Sequence, residues 1–118
     1  MRLYLTRHGQ TVWNIERRLQ GWNDSELSEK GISNARALRE RLADIDFYEV
    51  YSSPIGRTMK TAEIVSGLEA DKIIQDENLR EIHLGSWEGR LTDEIELEYP
   101  EEYSAFRCSP HLYKRSDA

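Results

Sequence analysis

The hydrophobic and polar positions of the first third of the chain predict a strand, a loop and a helix. Residues 2–7 have the length and composition of a strand, which Gly9 ends just after His8. Residues 11–24 mix Trp, Asn, Gly and charged residues without a period, which predicts a loop with one short helical turn. Ser28 is a suitable N-cap for the amphipathic helix that follows, whose apolar positions are Ile32, Ala35, Leu38, Leu42 and Ile45. We therefore expect His8 at the C-terminal end of a strand.

A second strand and a second helix are predicted in the middle of the chain. Residues 47–52 have a strand-like composition, and Ser53 followed by Pro54 supplies an N-cap and a first-turn proline. The helix that begins there should run to about Ser66 and bury one face, formed by Ile55, Met59, Ala62 and Val65. Gly67 is placed to end this helix in the left-handed conformation.

The remaining pattern completes an alternation of strands and helices. Residues 72–75 are predicted to form a third, short strand, and residues 78–89 an irregular segment. Thr92 can cap a helix over residues 93–98, and Pro100 can start another that runs to about Arg107. Strands that alternate with helices are typical of an α/β fold with a parallel sheet. No linker or repeat interrupts the pattern, so residues 1–118 are predicted to form a single domain.

Composition and charge restrict the classes of function. The formal net charge of −6 argues against nucleic acid or an anionic membrane as a partner, so an anionic substrate would have to be bound by a few local cations. Cys108 is the sole cysteine, and no other Cys or His lies at a zinc-ligand spacing, which favours a reducing compartment and no metal. The sequence contains no apolar run of membrane-spanning length, and we expect a cytoplasmic protein.

Two groups of polar residues follow predicted strands, where α/β sheets bind their ligands. Arg7 and His8 come at the end of the first strand, and Ser53 follows the second at the start of a helix that carries Arg57 in its first turn. A helix N-terminus favours an anion, and an arginine can bind phosphate oxygens at two points. If Arg7 and Arg57 converge on His8, their charge would depress the imidazole pKa and leave a neutral nucleophile beside a phosphate-binding pocket. The pattern therefore favours a phosphomonoester as substrate.

Four segments of the chain together resemble the histidine phosphatase superfamily, also called the phosphoglycerate mutase-like family. They are TRHGQTVWN at 6–14, GWNDSELSEKG at 21–31, SSPIGRTMKTA at 52–62 and LREIHLGSWEG at 79–89. They occur in the order of the family, which makes chance agreement improbable. The resemblance implies a three-layer α/β fold with a mostly parallel sheet flanked by helices. The short connection between Arg57 and Glu81 resembles the broad-specificity and alpha-ribazole phosphatase-like branch, because mutases usually carry a longer insertion there.

The resemblance also implies a role for individual residues. His8 would be phosphorylated in a covalent intermediate, and Glu81 would protonate the leaving oxygen and then activate water. The phosphoryl group would be held by Arg7, Asn14 and Arg57. Further candidates for contacts with the substrate are Gln20 and Gly21, together with Gln10, Thr11 and Trp22. No metal or organic cofactor is expected, and the substrate would be a small phosphorylated metabolite.

The chain departs from the family pattern in one respect. Family members carry a second histidine in a Ser-His-Gly strand end after the glutamate motif, and neither His83 nor His111 has that context. We therefore expect an incomplete histidine phosphatase domain that lacks its C-terminal strands. Unpaired strand edges would then cause self-association, or the strand at residues 2–7 would pair directly with the strand at residues 47–52, and the chain would be marginally stable.

Other interpretations of the same residues stay open. His8 could be a histidine that hydrogen-bonds the backbone at the end of a strand. Arg57 could be a surface arginine paired with a glutamate, Asn14 could stabilise a turn, and Glu81 could belong to a solvated acidic face. The three tryptophans could pack in the core rather than line a pocket. At the level of function, the alternatives are a mutase-type phosphotransferase and a non-catalytic phosphate-binding fragment. Loss of turnover on His8→Ala would distinguish a phosphohistidine enzyme from a fragment that only binds phosphate.

Overall fold

The structure is a computed structural model that describes residues 1–113 and 117. Its helices are α1 (Val12–Glu16), α2 (Glu29–Arg41), α3 (Gly56–Ser66), α4 (Thr92–Glu98) and α5 (Pro100–Cys108). Its strands are β1 (Tyr51–Ser52) and β2 (Ile74–Gln75), and short 3-10 turns occupy Ala70–Lys72, Glu77–Leu79 and Gly85–Trp87. The predicted turn within residues 11–24 is α1, and the irregular segment 78–89 contains no α-helix or strand.

The sheet of the described residues consists of the two parallel strands β1 and β2. Tyr51 lies opposite Ile74, and Ser52 lies opposite Gln75. The N–H of Ile74 donates to the carbonyl of Val50 over 2.8 Å, and the N–H of Asp76 donates to that of Ser52 over 2.9 Å. The crossover between the strands contains α3, as parallel strands require. The predicted α/β class with a parallel sheet is therefore confirmed, although both strands are shorter than predicted.

The predicted strand at residues 2–7 is wrong. This segment pairs with no strand among residues 1–113 and 117, and it does not form the direct pairing with residues 47–52 that we considered. Leu3 and Leu5 are exposed, and the ring of Tyr4 meets the ring of Phe47 edge-on at 5.5 Å. A strand needs a neighbour that supplies hydrogen bonds, and a strand-like composition cannot supply one. Self-association through this edge stays a prediction.

Helix α2 begins as the sequence predicts, because Ser28 is its N-cap and accepts a hydrogen bond from the N–H of Gly31. It ends at Arg41, earlier than the apolar spacing to Ile45 indicated. Helices α4 and α5 were also located correctly. The N-cap of α4 is Leu91 rather than Thr92, however, so Thr92 does not cap it. Pro100 occupies the first turn of α5, as predicted.

Helix α3 ends as predicted but begins later. Gly67 caps it in the left-handed conformation, with φ 74°. Its N-cap is Ile55 and not Ser53, because the hydroxyl of Ser53 bonds to that of Thr58 at 2.5 Å instead of to the helix backbone. The buried face also differs from the prediction: Met59 is buried with the polar Arg57 and Thr61, whereas Ile55, Ala62 and Val65 are only partly buried.

By their contacts the residues divide into two compact units, which we call the first and the second unit. The first unit comprises Met1–Val12 and Ser25–Arg80, and the second comprises Trp13–Asp24 and the described residues from Glu81 onward. The first unit buries few apolar side chains, namely Ala35, Met59 and Ile73, beside many polar ones. The second unit has an aromatic core in which Leu84, Trp87 and Ile95 are packed against Leu19, Ile82, Tyr99, Tyr103, Phe106 and Tyr113.

In the first unit, the start of α2 lies against the turn that follows His8. The N–H of Ser28 donates to the carbonyl of Gln10 over 2.8 Å, and the Ser28 hydroxyl donates to the side-chain oxygen of Gln10 over 2.9 Å. A Cβ at Gly31 would lie 2.2 Å from the carbonyl oxygen of Gln10, and a Cβ at Gly9 would lie 2.9 Å from that of Gly31. Both glycines are thus required by the close approach of two backbones.

Replacement of Gly31 by alanine should destabilise the first unit. The new methyl group would meet backbone, which cannot rotate away as a side chain can, so we expect a loss of about 1–3 kcal/mol in the free energy of unfolding. Urea unfolding followed by far-UV circular dichroism measures this loss. Ser33→Ala, at an exposed position of the same helix, is the matched control and should change stability by less than about 0.5 kcal/mol. Equal stability of the two variants would contradict the close approach.

Candidate functional site

The residues predicted to form the site are divided between the two units. The first unit holds Arg7, the predicted nucleophile His8 and the buried Arg57. The second unit holds Glu81, the proposed general acid, together with Asn14, Gln20 and Gly21. Each unit therefore contributes a distinct part of the predicted chemistry, and each part has its own local geometry.

His8 is half-buried, and its ring is oriented by the residue that follows it. The ring atom Nδ1 lies 2.7 Å from the carbonyl oxygen of Gly9. A carbonyl can only accept, so the bond requires a proton on Nδ1, and the neutral ring then carries its lone pair on Nε2. This hydrogen bond selects the tautomer in which Nε2 is the nucleophilic atom. The local backbone of the Arg-His-Gly motif is sufficient to make this contact.

Thr61 joins the turn after His8 to the helix that carries Arg57. Its hydroxyl accepts from the N–H of Gly9 over 3.0 Å and donates to the carbonyl of Arg57 over 2.7 Å. Thr61 and Arg57 are four residues apart on α3, and Arg57 is only 3% exposed. The interpretation of Arg57 as an exposed surface arginine is therefore wrong. Arg7, in contrast, is exposed.

Sequence reasoning did not identify Thr61 as part of the site. A signal was available, because Thr61 lies within the motif at residues 52–62, one helical turn after Arg57. Ser53 and Thr58 form a second polar contact at the end of β1. Besides the bond between their hydroxyl groups, the Thr58 hydroxyl lies 2.8 Å from the carbonyl of Ile55. These contacts fix the first turn of α3, where Arg57 lies.

In the second unit, Glu81 is exposed and its carboxylate is turned toward its own backbone. Oε1 accepts from the N–H of Ile82 over 2.9 Å, and the Glu81 carbonyl accepts from the indole N–H of Trp22 over 2.8 Å. Gln20 and Gly21 are buried, and a Cβ built on Gly21 would lie 3.1 Å from the carbonyl oxygen of Ile82, whereas Asn14 lies exposed on α1. The carbonyl of Asn14 accepts from the N–H of Arg17 over 3.2 Å, so its backbone takes part in a turn.

Two further residues of the second unit, His83 and Glu88, contact Trp22. The ring of His83 stacks on that of Trp22, with the centroids 4.1 Å apart and the planes inclined by 9°. The carboxylate of Glu88 accepts from the N–H of Trp22 over 2.9 Å. From the sequence, His83 was considered only as a candidate for the second histidine of the family, and Glu88 was not predicted to belong to the site. Their positions near Glu81 in the sequence carried no signal, because a loop does not reveal which side chains turn inward.

Shifted pKa values occur at exposed ion pairs and hydrogen bonds. A hydrogen bond from Arg90, 2.5 Å away, lowers the pKa of Glu98 and raises that of Arg90. The hydrogen bond that Tyr51 donates to Glu49 raises the pKa of the Tyr51 hydroxyl. Exposed pairs of this kind contribute little to stability because water screens them.

Within residues 1–113 and 117, no group of three or more His, Cys, Asp and Glu side chains is placed to hold a metal ion. In the same part of the chain, no helix combines the length and apolar character needed to cross a membrane.

Comparison with curated proteins identifies relatives that match most of this chain. The protein named Probable phosphoglycerate mutase GpmB of Erwinia tasmaniensis is 40% identical over 98 residues, which are 83% of this chain and 46% of that protein. The chain thus spans about half the length of the curated relatives it matches.

Solved structures match the fold as well. YhfR of Bacillus stearothermophilus is 50% identical with a TM-score of 0.85, and the match covers 94% of this chain and 55% of that one. A structure from Escherichia coli, named as a candidate alpha-ribazole-5′-P phosphatase, is 30% identical with a TM-score of 0.72, over 85% of this chain and 50% of that one. The α/β fold is therefore that of phosphoglycerate mutase-like structures. The model of the histidine phosphatase superfamily (branch 1) matches residues 3–117, and the chain belongs to this family.

Proposed function

We propose that the chain is a phosphomonoester hydrolase that acts through a phosphohistidine on His8, with Glu81 as general acid and base. The observation that carries the proposal is the orientation of the His8 ring by the carbonyl of Gly9, at 2.7 Å from Nδ1. Attack on phosphorus needs an unprotonated nitrogen, and this hydrogen bond favours the tautomer that has one at Nε2. The Thr61 hydroxyl ties the same turn to the backbone of the buried Arg57.

In the first step, Nε2 of His8 attacks the phosphorus atom and the bond from phosphorus to the ester oxygen breaks. Glu81, in its protonated form, gives its proton to the departing oxygen, so that an alcohol leaves. The charge on the transferred phosphoryl oxygens is offset by Arg57 and Arg7, with Asn14 as a further hydrogen-bond donor. Gln20 and Gly21 would contact the remainder of a small phosphorylated metabolite.

In the second step, a water molecule attacks the phosphohistidine. Glu81, now a carboxylate, takes a proton from this water, the bond between Nε2 and phosphorus breaks, and inorganic phosphate is released. The neutral ring and the protonated Glu81 are thereby regenerated. The proposal requires no metal or cofactor at either step.

Family membership supports phosphoryl chemistry and leaves two acceptors to be distinguished. Relatives named as phosphoglycerate mutases favour transfer to a second hydroxyl group, whereas the neighbour named as a candidate alpha-ribazole-5′-P phosphatase favours transfer to water. The short segment between Arg57 and Glu81 supports the phosphatase. A chain that only binds phosphate is the third possibility, because the sequence has no histidine in a Ser-His-Gly context.

Trapping of the intermediate tests the proposal. The purified chain is mixed with a phosphomonoester labelled in its phosphoryl group, the reaction is stopped in alkali, and the labelled peptide is identified by mass spectrometry. We expect alkali-stable, acid-labile label on His8 and the release of inorganic phosphate. Transfer of the label to added 3-phosphoglycerate in preference to water would favour the mutase, and anion binding without label would favour the fragment that only binds phosphate.

A further inference from the structure

Glu88 is a buried carboxylate that serves as a common acceptor within the second unit. Its side chain is 7% exposed, and its Oε1 accepts from the N–H of Trp22 over 2.9 Å and from the N–H of Leu84 over 3.1 Å. Nε2 of His83 lies 3.8 Å from the same oxygen. Burial of a carboxylate costs free energy unless hydrogen bonds replace the lost hydration, and the two N–H donors supply such bonds. Because both bonds go to one oxygen, they also hold the backbone at Trp22 and the backbone at Leu84 close together.

Gly21 explains how this carboxylate can lie so close to the backbone. Gly21 has φ +55°, and a Cβ built on it would lie 2.4 Å from Oε1 of Glu88. A side chain at position 21 would therefore displace the carboxylate as well as strain the backbone. Gly21 therefore has a structural role in addition to the substrate contact that the sequence predicts for it.

Trp22 connects Glu88 to Glu81 through two hydrogen bonds. Its N–H is held by Glu88, its ring is stacked on His83, and its indole N–H donates to the carbonyl of Glu81 over 2.8 Å. The Glu81 carboxylate in turn accepts from the N–H of Ile82. The position of the Glu81 backbone, from which the carboxylate projects, thus depends on an indole ring whose own backbone is held by Glu88.

We propose that Glu88 is the positioning residue for Glu81, acting through the backbone and the indole of Trp22. The inference rests on the proposed function in one respect, the role of Glu81 as general acid. Glu88 itself touches neither the substrate nor the reacting atoms. Its contribution is to hold the acid in one place, so that its proton is delivered to the departing oxygen.

Three substitutions in the full chain test separately the contact between Glu88 and Trp22 and the contact between Trp22 and Glu81. Glu88→Gln keeps an oxygen that can accept from both N–H groups, whereas Glu88→Leu removes the acceptor at similar volume. Trp22→Phe keeps the backbone N–H and an aromatic ring but removes the indole donor. If Glu88 positions Trp22, Glu88→Leu should alter the nitrogen-15 and proton shifts of the Trp22 indole and accelerate its hydrogen exchange about tenfold or more, and Glu88→Gln should restore slow exchange.

Kinetics with two substrates distinguishes positioning of the acid from a general structural effect. p-Nitrophenolate departs readily without a proton, whereas an alkoxide does not, so loss of the acid should slow hydrolysis of an alkyl phosphate more than that of p-nitrophenyl phosphate. The value of kcat/KM reports formation of the phosphohistidine alone, because its later hydrolysis is common to both substrates. We expect Glu88→Leu and Trp22→Phe to lower the ratio of kcat/KM for the alkyl phosphate to kcat/KM for p-nitrophenyl phosphate by about tenfold, and Glu88→Gln to recover most of it.

The outcomes of these experiments are distinguishable. Equal loss of kcat/KM on both substrates, or an unchanged Trp22 indole signal in Glu88→Leu, would overturn the positioning role. If Glu81→Gln itself left this ratio of kcat/KM values unchanged, the proposed acid would be wrong and the inference about its positioning would be overturned with it. A normal response of Glu81→Gln together with an unaffected ratio in Glu88→Leu would reject the role of Glu88 while the proposed function stands.

Discussion

Replacement of His8 by alanine should reduce the turnover of p-nitrophenyl phosphate by about four orders of magnitude or more, because the substitution removes the atom that forms the covalent intermediate. The ring is oriented by the Gly9 carbonyl, which lies 2.7 Å from Nδ1. Arg7 and Arg57, which are proposed to bind the phosphoryl group, are retained in this variant. The affinity for inorganic phosphate or vanadate should therefore change far less than kcat.

His111→Ala is the matched control for this experiment. It removes an imidazole from an exposed position outside the predicted site, so kcat and KM should stay close to those of the unmodified chain. Steady-state kinetics and isothermal titration with vanadate measure the two quantities. Turnover that survives in His8→Ala, with circular dichroism showing an intact fold, would reject the phosphohistidine mechanism.

Replacement of Trp87 by alanine should lower the free energy of unfolding by about 3–5 kcal/mol. Trp87 has no exposed surface and belongs to the core of the second unit with Leu84 and Ile95. Its ring lies 5.7 Å from the ring of Tyr99 and the same distance from that of Tyr113, centroid to centroid. Loss of the indole leaves a cavity that these rings can fill only in part. The effect is a large share of the about 5–15 kcal/mol that stabilises a typical domain.

Urea unfolding followed by near-UV circular dichroism would measure this loss. Leu97→Ala, on α4 in the same unit, removes an apolar side chain that is 87% exposed, and it should change stability by less than about 0.5 kcal/mol. A Trp87→Ala variant as stable as Leu97→Ala would show that the aromatic core contributes less to the stability of the chain than its burial indicates.

Glu98 offers a smaller test that depends on pH. The hydrogen bond from Arg90 lowers the pKa of Glu98 in the folded chain, so any stabilisation it provides is present above the ordinary pKa of a glutamate. It is lost as the pH falls through the lowered pKa. The pair is exposed, however, and water screens it, so the stability of the chain should change little through this pair.

The helices were predicted well because their signals are local. Ser28 caps α2, Gly67 ends α3 and Pro100 begins α5, each through the backbone conformation or hydrogen bond that its own residue type favours. The strand predicted at residues 2–7 does not form, because a strand depends on a partner that its own composition cannot specify. The start of α3 was misplaced for a related reason, since the Ser53 hydroxyl found a partner in Thr58.

The family, the α/β class and the candidate chemistry of His8, Arg57 and Glu81 could be predicted from the motifs, since these are contiguous and their residue types restrict what the chain can do. Which polar groups are buried and paired could be seen only in the folded chain. Folding buried Arg57, joined Thr61 to the turn after His8, and placed Glu88 against Gly21 and Trp22. The physical reason is that burial and hydrogen bonding of a polar side chain depend on backbone brought close by folding, often from residues distant in sequence.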